Sequence, residues 1–334
     1  MQINRDALNS ILACPSCKCP IHINTDLCTC DNPGCGKTFP VLRALPVFIN
    51  DETSVFSVRD YADGDSPAVA VKRSLLGRLS ERLVPSITHN WVGQRNYKLL
   101  VDHLHANPHS NVLVVGADEL GVGFDFLLND PSITLVETDV YFAPRISAIA
   151  DCHDLPFLDG TFDAVIVQVV FEHVADPARC VEEIHRVLKI NSYVYAETPF
   201  LFPVHLGPYD FMRFTRSGHR RLFRNFDEVA SNMASGPATS LNLAIRSLFL
   251  SMSTSRWVSL FARNILPFFI FWIKYLDYWL IKNPHAADYA AAFYFIGTKR
   301  AASLPDREIV NMHWTRQGSS QAPRAVDKSS CLAA

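Results

Sequence analysis

The sequence has no excess of either charge and no internal repeat. Its 334 residues include 31 basic and 33 acidic side chains, which gives a net charge of −2. Because nucleic-acid-binding proteins generally carry a basic patch or stripe, a nucleic-acid partner is not expected. The peak of the most apolar region, residues 264–273, is also short. It has about half of the roughly 20 apolar residues that cross a bilayer.

The cysteines do not fit a disulfide framework. They number nine, which is odd, and no signal peptide opens the chain. Both observations favour a reducing, cytoplasmic compartment. Four thiolates from two closely spaced pairs would satisfy one tetrahedral, structural Zn²⁺ ion, and a segment of about fifty residues has too small a core to fold easily alone. The predicted ligands are Cys14, Cys17, Cys30 and Cys35. The alternatives are Cys19 and Cys28 as ligands, disulfides, or a metal-free relic.

A glycine-containing turn follows the apolar run NVLVV at residues 111–115. Gly116, Gly121 and Gly123 can adopt positive φ or let a ligand approach the backbone, and the N–H groups of a helix that opens there favour an anionic group. The next apolar run ends in Glu137 and Asp139, either of which could accept hydrogen bonds from ribose hydroxyls. Cofactors bind at the carboxyl ends of parallel strands, so these tips predict a nucleoside-cofactor site. A plain strand–helix turn is the alternative.

Strands and helices alternate from about residue 110 to residue 200. The run FDAVIVQVV at residues 162–170 suits a central parallel strand. Asp176 and Pro177 then open a helix, and a further strand follows at residues 193–196. This alternation predicts an α/β fold with a doubly wound sheet.

The order and wording of these segments resemble class I S-adenosylmethionine-dependent methyltransferases, in particular methyltransferase type 11-like proteins, over about residues 110–230. The most specific part is DCHDLPF at residues 151–157, followed by the FDAV strand. The resemblance implies a mostly parallel, seven-stranded Rossmann-like sheet, an enzyme, and S-adenosylmethionine as cofactor. It implies these cofactor contacts: Gly116, Ala117, Asp118 and Gly121 at the methionine moiety, Asp139 at the ribose, Asp151 and Cys152 at the adenine, and Gln168 near the methyl group.

The sequence departs from the pattern of this family at the glycine loop. Val114 stands where the first strand usually has an acidic residue, and residues 117–119 lack the usual second glycine. A catalytically silent, methyltransferase-like scaffold that binds partners through its zinc unit is therefore the alternative function.

Polar residues after the fifth predicted strand are expected to set the choice of acceptor. His205, Tyr209 and Arg213 lie on a loop there, and His205 or His173 could take the proton that the acceptor loses. The alternative is that these residues only pin a lid through hydrogen bonds. The pair Glu172-His173 is similar to part of a Glu-x-x-Glu-His metal site found in some methyltransferases. Because residue 169 is Val, no catalytic metal is expected.

The N-terminal segment resembles the short zinc-ribbon-like domain that accompanies some methyltransferases, and it ends in two Pro-Val strands. The expected organisation is a zinc-ribbon-like domain at 1–50, a connecting arm at 51–90, a methyltransferase domain at 91–300 with an apolar helical insert at about 241–288, and a disordered tail at 301–334.

The apolar region at residues 247–281 has three interpretations. It could be a buried helical hairpin, a peripheral contact with a membrane surface, or a membrane span. The resembled subgroup looks like methyltransferases of glycan or lipid-linked saccharide pathways, so a saccharide or lipid-linked acceptor is expected. A soluble small-molecule acceptor is the alternative.

Overall fold

The computed structural model describes residues 2–61, 83–117 and 121–316. Asp118, most of the predicted connecting arm (62–82) and the end of the predicted tail (317–334) lie outside these residues. The described strands are β1 Ile21–Ile23, β2 Leu27–Cys30, β3 Thr38–Leu42, β4 Leu45–Phe48, β5 Ser110–Val115, β6 Ile133–Asp139, β7 Ala148–Ala150, β8 Phe162–Gln168, β9 Leu188–Pro199, β10 Phe226–Ser235 and β11 Ala292–Lys299.

The described α-helices vary in length from four residues to sixteen. They are α1 Arg5–Asn9, α2 Gly93–Leu104, α3 Asp125–Leu128, α4 Pro177–Val187, α5 Arg216–Leu222, α6 Pro237–Met252, α7 Arg256–Leu260, α8 Pro267–Ile270, α9 Asp277–Leu280 and α10 Asp306–Arg316.

One mixed sheet organises the chain, in the order β1-β2-β3-β4-β7-β6-β5-β8-β9-β11-β10. Strands β4, β7, β6, β5, β8 and β9 run parallel to one another. Strand β11 pairs antiparallel with both β9 and β10. The order from β7 to β10 is that of a doubly wound sheet, which confirms the predicted α/β fold and the Rossmann-like arrangement. The carboxyl ends of β5, β6, β8 and β9 meet at one edge, so this edge is where a ligand is expected.

The apolar run predicted as a central strand is β8, and its first six residues are buried. Helix α4 covers one face of the sheet as the sequence predicts. Asp176 caps it by accepting a hydrogen bond from the N–H of Arg179 at 3.2 Å, and Pro177 occupies its first turn. Val181 and Ile184 are buried at helical spacing, so the polar side of this helix faces water.

The predicted number of seven strands is wrong, because the N-terminal unit joins the sheet. Strand β4 pairs in parallel with β7 through Val47 and Ile149, which adds β1 to β4 to the edge of the seven methyltransferase-type strands. Phe48 of β4 lies in the same apolar core as Phe157, which is in the loop before β8. The sequence does not predict this pairing, because the apolar pattern within each unit is the same whether or not the two units share a sheet.

Part of the predicted disordered tail is ordered. Helix α10 follows residue 305, buries Ile309 and forms an ion pair between Asp306 and Arg221 of α5 at 3.0 Å. The predicted disordered tail at 301–334 thus contains a helix at Asp306–Arg316.

The apolar region folds as two helical segments outside the sheet. After α6, a continuous helical run at Arg256–Leu280 includes α7, α8 and α9, with a π-helical turn and a 3₁₀ turn between them. Among the described residues it is the one helix that is long and apolar enough to cross a membrane by length and composition. Only 28% of its most apolar 18-residue window is buried. The interpretation as a buried hairpin is therefore wrong.

Candidate functional site

The glycine loop crosses the carboxyl edge of the sheet in close contact with the end of β8. Gly116 has φ +75°, and a Cβ atom there would lie 2.4 Å from Cγ2 of Val170. A Cβ atom on Gly121 would lie 2.3 Å from Oε1 of Gln168. Glycine is therefore required at both positions by space, and at Gly116 also by backbone conformation. Gly116, Gly121 and Gln168 are thus brought together, and Ala117 is buried.

The two predicted ribose acceptors differ in their surroundings. Glu137 is buried and forms an ion pair with Nε of Arg145 at 3.0 Å. Asp139 ends β6, and its Oδ1 accepts hydrogen bonds from the N–H groups of Val140 at 2.7 Å and Tyr141 at 3.2 Å. Because the ion pair already engages Glu137 inside the sheet, Asp139 at the tip of β6 is the better placed of the two to accept hydrogen bonds from a ribose.

The predicted adenine acid lies in a buried polar network. Oδ1 of Asp151 is 2.6 Å from Nδ1 of His153, and its Oδ2 accepts a hydrogen bond from the hydroxyl of Ser54 at 2.5 Å. Burial acts to raise the pKa of Asp151, but the contacts with His153 and Ser54 outweigh it and the pKa is lowered. Asp151 is thus held as a carboxylate. Cys152 is buried in the core against Cys180.

Sequence reasoning missed a second polar network at the ends of β8 and β9. The hydroxyl of Tyr97 donates to Oε1 of Gln168, and the hydroxyl of Tyr195 donates to Glu197 at 2.5 Å. The carboxamide of Asn90 donates to both carboxylate oxygens of Glu197 at 3.0 Å. Asn90 also caps α2, but this short-range signal does not reveal its partner 107 residues away. The network fixes α2 beneath the glycine loop.

The two predicted base candidates lie in direct contact. Nε2 of His173 lies 3.1 Å from Nε2 of His205, and their ring planes are 83° apart. Burial lowers the pKa of both imidazoles, so the neutral forms are favoured. Glu172 lies beside them, fully buried, and burial raises the pKa of its carboxyl group to about 8. Arg213 is engaged with Asp210 in the same loop.

The four predicted zinc ligands also meet. The Sγ atoms of Cys14, Cys17, Cys30 and Cys35 all lie within 4.8 Å of one another. The pairs Cys14–Cys35 and Cys17–Cys30 are separated by 3.8 and 3.4 Å between Sγ atoms. Four thiolates about 2.3 Å from one tetrahedral zinc ion would be about 3.8 Å apart, so the donor set fits zinc. Cys28, an alternative ligand, is outside this group and lies in the apolar core.

One cavity lies away from this edge. It has a volume of about 490 Å³ and is lined by His103, Asp163 and Lys189, near the amino ends of β8 and β9. Those of the predicted cofactor residues that the structure describes lie at the opposite ends of the strands, so this cavity is not part of the candidate site.

Residues 125–196 match the family described as "Methyltransferase domain". With the strand order, this match supports a class I methyltransferase fold for that region. The curated protein "Ubiquinone/menaquinone biosynthesis C-methyltransferase UbiE" from Geotalea uraniireducens (strain Rf4) is 45% identical over 52 residues, which are 15% of this chain. The chain spans 22% of the length of that relative.

Solved structures are similar to the chain at low identity. Phosphoethanolamine N-methyltransferase 2 from Haemonchus contortus, in complex with S-adenosyl-L-methionine, is 14% identical with a TM-score of 0.45, and the match covers 74% of this chain and 61% of that one. The [4+2]-cyclase SpnF is 15% identical with a TM-score of 0.40, and the match covers 63% of this chain and 81% of that one.

Proposed function

We propose that this protein transfers a methyl group from S-adenosylmethionine to an acceptor with an apolar portion. The observation that carries the proposal is the close packing of the glycine loop on the end of β8, beside the tips of β6 and β9. Gly116 and Gly121 bring backbone to within contact of Val170 and Gln168, which is the kind of loop that approaches a bound ligand.

The residues of this edge have separable roles in the proposed site. The glycine loop would hold the methionine moiety, Asp139 the ribose hydroxyls, and the region of Asp151 the adenine. A cofactor held by these residues would supply an electrophilic methyl group bonded to its sulfur, and an acceptor that took this group would release its own proton to a base or to water. Gln168 would face that methyl group.

Calorimetry with S-adenosylmethionine tests the cofactor proposal against the silent-scaffold alternative. The Asp139→Ala variant should bind more weakly by roughly 1–3 kcal/mol, because a charge-assisted ribose contact is lost. Asp288→Ala removes an exposed carboxylate outside the site and is the control. Absence of binding at millimolar ligand by metal-replete protein would favour the scaffold.

The acceptor proposal rests on the surface of the Arg256–Leu280 run. Large aromatic side chains point outward, with Trp257 exposed by 72%, Phe269 by 67% and Trp279 by 62%. Two charged residues in the C-terminal half of the run point inward instead. Lys274 donates to the carbonyl oxygen of Ser86 at 2.6 Å, and Asp277 is fully buried. The outer surface of the run therefore combines large aromatic side chains with no exposed acidic residue.

This surface suits the interface of an anionic membrane. Between residues 241 and 287 the one acidic side chain is the buried Asp277, whereas Arg256, Arg263 and Lys282 are exposed. Tryptophan and tyrosine favour the headgroup region, and exposed cations favour anionic lipids. We propose that the run lies on a membrane surface and presents a lipid-linked acceptor, such as a lipid-linked saccharide, to the site.

The run is physically connected to the candidate site. Leu266 and Ile270 pack in one apolar cluster with Phe202, and the ring of Phe202 lies 5.3 Å from that of His205. An apolar tail held by the run would thus bring its polar head to the loop that carries His205. The proximity supports an acceptor that has both parts.

Two experiments test this proposal. Protein should float with vesicles that contain phosphatidylserine and less with pure phosphatidylcholine, and the double substitution Phe269→Asp, Trp272→Asp should abolish flotation. Val229→Asp, at an exposed position of β10, is the matched control. Tritiated methyl transfer into a cell extract, followed by chloroform–water partition, should place label in the organic phase. Label only in protein or RNA would contradict the lipid-linked acceptor.

We also propose that Cys14, Cys17, Cys30 and Cys35 hold one structural zinc ion. The proposal is supported by the mutual distances of the four Sγ atoms. Metal analysis of protein purified without chelator should find zinc, and Cys14→Ser with Cys35→Ser should lower the zinc content by one ion per chain. Cys28→Ser is the control because that thiol lies in the apolar core outside the cluster.

A further inference from the structure

Three potential metal ligands converge beside the proposed cofactor edge. Nε2 of His173 and Nε2 of His205 are 3.1 Å apart, and Oε1 of Glu172 lies 3.7 and 3.8 Å from them. The point in their plane that is equidistant from the three atoms lies about 2.1 Å from each. Zinc–nitrogen and zinc–oxygen bonds have lengths of about 2.0–2.2 Å, so one ion fits there without movement of the ligands.

The second nitrogen of each ring lies near oxygen atoms. Nδ1 of His173 is 2.8 Å from the carbonyl oxygen of Tyr209, and Nδ1 of His205 is 3.4 Å from Oδ2 of Asp210 and from the carbonyl oxygen of Pro203. Carbonyl and carboxylate oxygens only accept, so each Nδ1 has an acceptor beside it when it carries the ring proton. In that tautomer each Nε2 presents a lone pair, as in metal sites where an outer oxygen orients the histidine.

In that tautomer the two Nε2 lone pairs lie 3.1 Å apart and repel each other, and a cation between them would remove the repulsion. The same cation would stabilise the carboxylate form of Glu172. Its side chain is fully buried, and neither carboxylate oxygen has a hydrogen-bond partner among the described residues. A buried carboxylate without a partner is costly, whereas coordination of a metal satisfies it.

We propose that Glu172, His173 and His205 bind one divalent transition-metal ion, with zinc as the best match to their spacing. Two imidazoles and one carboxylate leave a tetrahedral ion with one open position, as in catalytic zinc sites. The histidine side chains are 15% and 32% exposed, so this position is reachable from solvent. This proposal differs from two expectations from the sequence. It places a metal where none was expected, and it makes the two histidines metal ligands instead of general bases. The ion would hold an oxygen atom of the acceptor at its open position, and this part of the proposal rests on the proposed methyl transfer.

Metal binding to the full-length, chelator-stripped protein tests the site without any methyl transfer. The wild type and the control His285→Gln should bind one more zinc ion per chain than Glu172→Gln or His205→Gln. His285 is an exposed histidine outside the cluster, and His205 lies on a loop where glutamine leaves the core intact. Unfolding midpoints of the stripped proteins show that the variants are folded.

Cobalt substitution separates this ion from the one bound by cysteines. The difference between the cobalt spectra of the wild type and His205→Gln should contain d–d bands but no sulfur-to-cobalt charge-transfer band, which the four-thiolate site alone produces. Equal metal content in the wild type and both variants, with superimposable cobalt spectra, would overturn the proposal. Loss of methyl transfer with unchanged metal content would instead contradict only the proposed function.

Discussion

The carboxylate of Asp277 binds Thr239 twice: it accepts from the backbone N–H at 2.9 Å and from the hydroxyl at 2.7 Å. It also accepts from the N–H groups of Gly236 and Ala238 at 3.2 and 2.8 Å. One buried side chain from α9 therefore caps the first turn of α6 across 38 residues. This contact explains how a charged residue can interrupt an apolar helix without facing the solvent.

Asp277→Ala should destabilise the protein by about 3 kcal/mol, because several buried N–H donors lose a charged acceptor. Asp277→Asn should be intermediate, since its amide group keeps one acceptor oxygen. The measurement is urea unfolding, with exposed Asp288→Ala as the control. A loss in Asp277→Ala no larger than in Asp288→Ala would show that the cap contributes nothing.

His219 should give the protein a pH-dependent stability. Burial, with a smaller effect from Arg220, lowers its pKa from 6.5 to about 3. Below pH 6.5 the unfolded chain binds a proton that the folded chain does not, so stability falls as the pH falls. Between pH 7 and pH 5 this histidine should cost about 2 kcal/mol.

Replacement by a neutral ring should remove that part of the slope. The His219→Phe side chain would lie among Phe223 and Phe295, whose rings already contact His219. Urea unfolding at several pH values should show a smaller loss for His219→Phe than for the wild type, and an unchanged loss for exposed His285→Ala. Parallel slopes for all three proteins would show that His219 is not the group that titrates.

Gly116→Ala should weaken S-adenosylmethionine binding by about tenfold or more. Its φ is +75°, and the added Cβ would lie 2.4 Å from Cγ2 of Val170, so both strain and steric overlap displace the loop. Gly160→Ala is a matched control, because φ there is +60° and no atom lies within 4 Å of the added Cβ. Calorimetry should find normal affinity for Gly160→Ala. Equal affinities of the two variants would contradict the role of the glycine loop.

Chelation should loosen the N-terminal unit and the edge of the sheet that it joins. Strand β7 pairs with β4 through Ile149 and Ala150, and Lys18 forms an ion pair with Glu183 of α4 at 2.8 Å. Hydrogen exchange should therefore rise in Ala148–Ala150 when the cysteine ligands lose zinc. It should stay unchanged in Ser110–Val115, which lies between two other strands. Uniform protection before and after chelation would mean that no metal supports this edge.

Local patterns in the sequence were sufficient for much of the sheet and for the cysteine cluster. The uninterrupted apolar run of β8 and the Asp176-Pro177 start of α4 follow from burial and capping, which act over a few residues. Distant pairs had no such signal. Glu197 and Asn90 are 107 residues apart, and nothing in either neighbourhood indicates that they meet.

The proposed Glu172, His173 and His205 cluster shows the same division. Glu172 and His173 are adjacent in the sequence, but Val169 stands where the similar Glu-x-x-Glu-His pattern has a glutamate, so the sequence argues against a metal. His205 brings a third potential ligand from 32 residues further along the chain. Only the fold decides this, because the loop after β9 and the loop after β8 leave the same edge of a parallel sheet.

The sequence by itself determined which segments are apolar, where strands and helices begin, and which residues can bind a metal or a nucleoside, since these depend on residue type and short spacing. The tertiary structure alone decided that the N-terminal strands extend the sheet, that Lys274 and Asp277 point inward while Phe269 and Trp272 point outward, and that two histidines face each other. Those outcomes depend on which surfaces pack together, and packing is set by the whole chain at once.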